Sequence, residues 1–145
     1  MRDAYREYFG FMEQLGHLLD QLTELEKKKT AAVRHDDLLT VDECMKQEQA
    51  LSLSLRAMDK KRDVLLSGMG LENVTLSGFA EHCPPELQKE AKEAAETLHT
   101  RYMLYRSASD AARTTLELNL HQIERMLADE ADAPLGGGTI ADIRA

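Results

Sequence analysis

The residue pairs best suited to metal chemistry are glutamate–histidine pairs at helical spacing. Glu96 and His99 form the one Glu-x-x-His motif of the chain, and two further Glu–His pairs stand one helical turn apart. A di-iron bundle needs two such motifs together with additional inward-facing carboxylates. The sequence provides one motif, and no His/Cys spacing in it resembles a zinc site. We therefore predict that the protein binds no metal.

Motifs for nucleophilic catalysis and for phosphate binding are absent from the sequence. It contains no HExxH, GxSxG, GxxxxGKS or GxGxxG, and the glycines 136–138 follow no strand and open no helix. Cys44 and Cys83 lie far apart with no CxxC pair, which indicates buried or inert thiols rather than a disulfide. We predict no catalytic residue and no cofactor, and hence no enzymatic activity.

Composition indicates a single all-α domain. The chain has 145 residues, 43% of them hydrophobic but only 5% aromatic, and its apolar content is mostly Leu and Ala. A formal net charge of −8 gives no field that would attract a nucleic-acid backbone, so nucleic acid is excluded as a partner. No stretch is long and apolar enough for a membrane span or a signal peptide, which predicts a cytoplasmic protein without membrane insertion.

A heptad-like stripe predicts a first helix over about residues 3–34. Its apolar positions alternate spacings of four and three, which places them on one side of a helix. At 1.5 Å per residue this helix would be about 48 Å long, too long to wrap around a compact core. The stripe comprises Ala4, Tyr8, Phe11, Leu15, Leu18, Leu22, Leu25, Lys29 and Ala32.

A second striped helix is predicted over about 41–66. Thr40 and Glu43 have the spacing of a capping box, so the helix should start there. Two long helices joined by a short polar connection pack most simply as an antiparallel hairpin. Polar residues interrupt both seams and could set the register or extend their charged ends to solvent at the seam edge, the second being our preferred interpretation. These residues are Lys29, Glu48 and Arg62.

Glycines and prolines divide the remaining chain. Gly68 and Gly70 end the second helix, a short helix capped at Thr75 should follow over about 75–82, and Pro84-Pro85 precedes a third long helix over 86–131. The run 107–110 could kink that helix. The predicted fold is thus an elongated antiparallel bundle of three long helices with a short connecting helix. It forms one domain, residues 1–132, followed by a flexible Gly-rich tail, residues 133–145.

The third helix carries more apolar surface near its end than a narrow seam needs. Its stripe also includes Leu87, Leu98, Tyr102 and Tyr105 further upstream. The bulky residues near the end could face the first two helices, which we consider the commoner arrangement, or form a groove for a partner helix. We take the second as the site hypothesis. The candidate partner-binding residues are Leu116, Leu118, Leu120, Ile123, Met126 and Leu127.

Several segments resemble the FlgN-type flagellar export chaperones. The similarity covers residues 10–80 by pattern and the remainder by the order of the helices. It is carried by Leu15, Leu18-Leu19, Leu22 and Leu25-Glu26, by His35-Asp36-Asp37, by Glu48-Gln49-Ala50-Leu51 and Arg62-Asp63-Val64-Leu65-Leu66, and by Gly70-Leu71, Thr75-Leu76 and Asn119-Leu120.

The resemblance implies a cytoplasmic chaperone that binds the C-terminal segments of flagellar hook–filament junction proteins. Such a chaperone prevents premature assembly and delivers its clients to the flagellar type III export gate. Many family members carry a Tyr followed by a Gly near the C-terminus, whereas Ala133-Pro134-Leu135-Gly136 has no Tyr, so the contact with gate components is not carried over. The alternative is a structural or regulatory coiled-coil scaffold, or an adaptor of another secretion system. Client identity and oligomeric state stay open.

Overall fold

The computed structural model describes residues 2–131, which form three long α-helices. They are α1 (Arg2–Arg34), α2 (Leu38–Gly68) and α3 (Gln88–Ala131), with two short 3₁₀ turns, Phe79–His82 and Pro85–Leu87, between α2 and α3. This part of the chain contains no strand, so the predicted all-α bundle of three long helices is confirmed. The tail predicted over 133–145 lies outside the described residues.

The three helices run up, down and up, with α1 in the middle. The seam between α1 and α2 is antiparallel, since Lys29 near the end of α1 pairs with Glu48 near the start of α2. The seam between α1 and α3 is parallel, because Arg6 pairs with Glu90 near both N-termini. α1 packs along both neighbours, and no comparable interface joins α2 to α3.

The central position of α1 explains why it is buried on two sides. The predicted stripe is confirmed as core, with Tyr8 and Leu22 each 2% exposed. Met12 and Leu19, which lie off that stripe, are equally buried, because a helix with two neighbours needs a wider apolar surface than a two-helix seam. α2 is a flanking helix, and its predicted stripe is mostly half-buried, including Leu55.

The main core lies at the end of the bundle where α1 and α3 begin. Phe79, on the first 3₁₀ turn, is fully buried, and its ring centroid lies 4.5 Å from that of Tyr8 and 6.1 Å from that of Phe9. The hydroxyl of Tyr5 donates a hydrogen bond to the carbonyl of His82 at 3.3 Å. The segment between α2 and α3 is therefore anchored to α1, and this fixes where α3 begins.

The start of α2 differs from the prediction. The helix begins at Leu38, and its N-cap is Asp37, whose carboxylate accepts a hydrogen bond from the backbone N–H of Thr40 at 3.2 Å. The Thr40 hydroxyl donates to the same carboxylate at 2.6 Å. The predicted capping box of Thr40 and Glu43 is wrong because Asp37 stands three residues earlier with the same capping ability.

The connection between α2 and α3 contains the helix-ending glycine and the short helical turn that the sequence predicts. Gly70 has a φ of 70° where α2 ends, and the N–H of Leu71 donates to the carbonyl of Leu66 at 2.9 Å. The hydroxyl of Thr75 accepts a hydrogen bond from the N–H of Gly78, but regular helix is limited to the turn Phe79–His82. α3 continues without a break through 107–110, because its packing on α1 holds the segment helical on both sides.

Candidate functional site

The C-terminal part of α3 extends past the tip of the α1–α2 hairpin. Arg101 Nε lies 3.5 Å from Asp20 Oδ2, which aligns the two helices at that level. Beyond this pair α1 continues for about 21 Å and α3 for about 45 Å, at the standard rise per residue. The same reckoning from the Arg6–Glu90 pair gives about 20 Å, so about 20–24 Å of α3 lies beyond the end of α1. No residue from 113 to 131 is buried. We call residues 116–131 the α3 extension.

Most of the candidate partner-binding residues are exposed on this extension. Leu120 is 57% exposed and Ile123 is 46% exposed, while Leu116 and Leu127 are half-buried. Met126 is 63% exposed at the border of the stripe. The arrangement in which these side chains face the first two helices is thus wrong for Leu120, Ile123 and Met126, and around these three residues the stripe is uncovered.

Leu118 stands apart from the other candidates. A helix advances about 100° per residue, so Leu118 lies about 190° from the centre of the stripe, on the opposite face of α3. It is 60% exposed, as are many isolated surface leucines. We therefore separate Leu118 from the proposed site and use it as a control position.

The stripe of the extension continues the line of α3 that packs on α1. Ala112, one turn before Leu116, is 1% exposed and lies in the same direction around the helix. Tyr102 was predicted on this line too, but it is 47% exposed, because at that level the bundle contacts α3 through Leu98 and Tyr105. The stripe of the extension is therefore uncovered because α1, the helix that packs on this line of α3 further upstream, ends at Arg34.

Two further exposed leucines occupy the hairpin tip. Leu38 is 77% and Leu39 is 81% exposed in the first turn of α2. The sequence pattern assigns both residues to the polar connection between the helices and predicts no role for them. The available signal was the pairing of two large apolar residues directly after Asp36-Asp37, where a solvent-exposed turn does not need them.

A buried polar cluster lies between the hairpin helices below the tip. Lys29 Nζ is 3.2 Å from Glu26 Oε2 and also pairs with Glu48, and the Lys29 and Glu26 side chains are 10% and 6% exposed. The interpretation that Lys29 extends to solvent is therefore wrong. Tyr105 of α3 and the three charged residues of this cluster line one common groove.

Burial sets the charge states of this cluster. Desolvation, followed by the hydrogen bond to Glu48, raises the pKa of Glu26 to about 7. Burial also acts against ionised Glu48, but its hydrogen bonds with Glu26 and Lys29 outweigh that effect and lower its pKa. Burial opposes the charge on Lys29 too, yet the two carboxylates raise its pKa overall. The cluster therefore holds one excess carboxylate that favours a bound proton.

The residues considered for metal or covalent chemistry are not assembled into a site. Glu96 and His99 are both exposed, and residues 2–131 contain no group of three or more His, Cys, Asp or Glu that could hold an ion. Cys44 and Cys83 are free and buried, as predicted, and burial raises the pKa of both thiols. In the same range, no helix has the length and hydropathy required to cross a membrane.

These features define a class of protein, an all-α bundle of three long helices whose third helix carries an exposed apolar stripe near its C-terminal end. The family model described as FlgN protein matches residues 1–128. The chain therefore belongs to the FlgN family of flagellar export chaperones. No curated protein and no solved structure matches it at a significant level.

Proposed function

We propose that this chaperone binds the C-terminal helical segments of flagellar hook–filament junction proteins in the cytoplasm. It prevents their premature assembly and delivers them to the type III export apparatus, without enzymatic activity or a cofactor. Family membership supports the general class of export chaperone. The observation that carries the client-binding step is the uncovered apolar stripe of the α3 extension.

The stripe has the spacing that a partner helix requires. Leu116, Leu120, Ile123 and Leu127 stand at intervals of four, three and four residues, which is the pattern of helix-in-groove recognition. Burying a leucine or isoleucine side chain contributes about 1.5–3 kcal/mol. A few such contacts give a complex that is stable in the cell and, without covalent or metal bonds, can be released at the export apparatus.

Calorimetric titration with the C-terminal fragment of each hook–filament junction protein tests this function. The double variant Leu120→Ala/Ile123→Ala should bind at least about tenfold more weakly, since each 1.4 kcal/mol of lost contact is a factor of ten. Helicity and thermal stability should be unchanged because both side chains are exposed. Leu118→Ala, on the opposite face, and Leu53→Ala, exposed on α2, are matched controls that should retain full affinity.

Two outcomes would contradict the proposal. Equal affinity of the stripe variant and its controls would remove the α3 extension as the client site. Absence of binding by the unmodified protein, together with self-association that the same double variant abolishes, would favour the coiled-coil scaffold.

A further inference from the structure

The position of the uncovered stripe identifies where its partner must lie. Upstream, the same line of α3 packs on α1, as the buried Ala112 shows, and the ion pair of Asp20 with Arg101 borders that seam. α1 ends at Arg34, while α3 continues. A helix that covers Leu120 and Ile123 with the same geometry stands end-to-end with α1, directly above the hairpin tip.

The hairpin tip then becomes part of the docking surface. Leu38 and Leu39 are the two most exposed large apolar residues described in the chain, and they lie in the first turn of α2, close to the end of α1. A helix placed above α1 meets this turn with its near end. Covering both leucines explains why large apolar side chains occupy a position that is otherwise fully solvated.

The charges beside the stripe indicate the chemistry of the partner. Glu117 and Glu124 flank the stripe on one side, and both are exposed. Arg125, by contrast, lies on the opposite face at 100° per residue. A partner helix with Lys or Arg next to its own apolar stripe would complete the seam, as Arg101 and Asp20 do lower in the bundle.

We propose that Leu38 and Leu39 form a second contact for the client, which is an amphipathic helix with a basic border that stands end-to-end with α1 along the α3 extension. This inference rests on the proposed function. It adds the hairpin tip to the site and fixes the position of the bound helix relative to α1.

Affinity measurements test the contact at the tip. With the C-terminal junction-protein fragment as probe, Leu38→Ala/Leu39→Ala should weaken binding about tenfold. Leu53→Ala, at a leucine of α2 that is 64% exposed and far from the tip, should not weaken it. Glu117→Gln/Glu124→Gln should reduce the salt dependence of the affinity. The control variant Glu72→Gln/Glu81→Gln makes the same change of charge at exposed positions between α2 and α3. It should leave the salt dependence of the affinity unaltered.

A spin label at the tip tests the position of the client directly. Because Cys44 and Cys83 are buried, His35→Cys gives one reactive thiol at the exposed tip, and Leu53→Cys gives one on the side of α2. The label at position 35 should broaden the NMR signals at one end of the bound fragment's helix, and the label at 53 should broaden none of that helix.

The outcomes separate this inference from the function on which it rests. Full affinity of the tip variant and no broadening from position 35, with binding still lost in Leu120→Ala/Ile123→Ala, overturn the end-to-end arrangement and leave the chaperone function standing. Failure of the unmodified protein to bind the fragment overturns the proposed function, and the inference with it.

Discussion

Lys29 Nζ lies 3.2 Å from Glu26 Oε2, one turn back along α1, and the same ammonium group pairs with Glu48 across the hairpin. The three side chains join α1 to α2 through a buried cluster with two carboxylates and one cation. A buried charge that loses its partner is costly, which makes this cluster a specific test of the α1–α2 register.

Removing the cation should destabilise the hairpin strongly. Lys29→Met leaves two buried carboxylates facing each other and should cost about 3–5 kcal/mol of unfolding free energy, measured by urea denaturation. Lys46→Met is the control, because Lys46 and Asp42 form an exposed pair 3.0 Å apart that contributes at most about 0.5 kcal/mol. Equal effects of the two substitutions would show that the cluster does not hold the hairpin together.

Stability should fall as pH rises through the range set by Glu26. Its carboxyl pKa is raised from 4.5 to about 7, so between these values the folded chain binds more protons than the unfolded chain. The corresponding stabilisation is fully present below about pH 4.5 and is lost as pH rises through 7.

The variant Glu26→Gln imitates the protonated carboxyl and should flatten the dependence on pH in this window. It should be about 1–3 kcal/mol more stable than the parent at pH 8, by chemical denaturation at a series of pH values. Glu24→Gln, at an exposed pair with Lys27, should keep the parent's slope. A Glu26→Gln protein with that same slope would contradict the assignment.

Truncations in the two seams should differ in cost. Leu18 is 7% exposed, and Leu18→Ala should cost about 2–5 kcal/mol because it leaves a cavity between helices. Leu55 is half-buried, and Leu55→Ala should cost about 1–2 kcal/mol because fewer contacts are lost. Denaturant midpoints at a constant m-value measure the loss of stability in both variants. A larger loss in Leu55→Ala than in Leu18→Ala would mean that α2 rather than α1 is the central helix.

The first turn of α2 should depend on Asp37 rather than on Glu43. Asp37→Ala removes the acceptor for the Thr40 N–H and should lower stability by about 1 kcal/mol. Glu43→Ala should change the thermal midpoint little, since Glu43 is exposed and has no cap contact to lose. A larger loss in Glu43→Ala would reinstate the capping box.

The sequence by itself determined the helices and the sides on which they are apolar. Period and punctuation are local properties, so the three stripes, the glycines after α2 and Pro84-Pro85 could be interpreted without knowing what packs on what. The α2 start was misplaced because Asp37 and Thr40 both have capping side chains, and the local pattern does not choose between them.

Only the tertiary structure decided which parts of each stripe find a partner. The burial of Phe79 against Tyr8 starts α3 beside the beginning of α1, and α3 has 44 residues against 33 in α1, so its end must extend past the hairpin tip. The same offset leaves Leu120 and Ile123 uncovered while Ala112 is buried. Periodicity is identical on both sides of this boundary, because the relative placement of helices along their axes is a non-local property that the stripes do not encode.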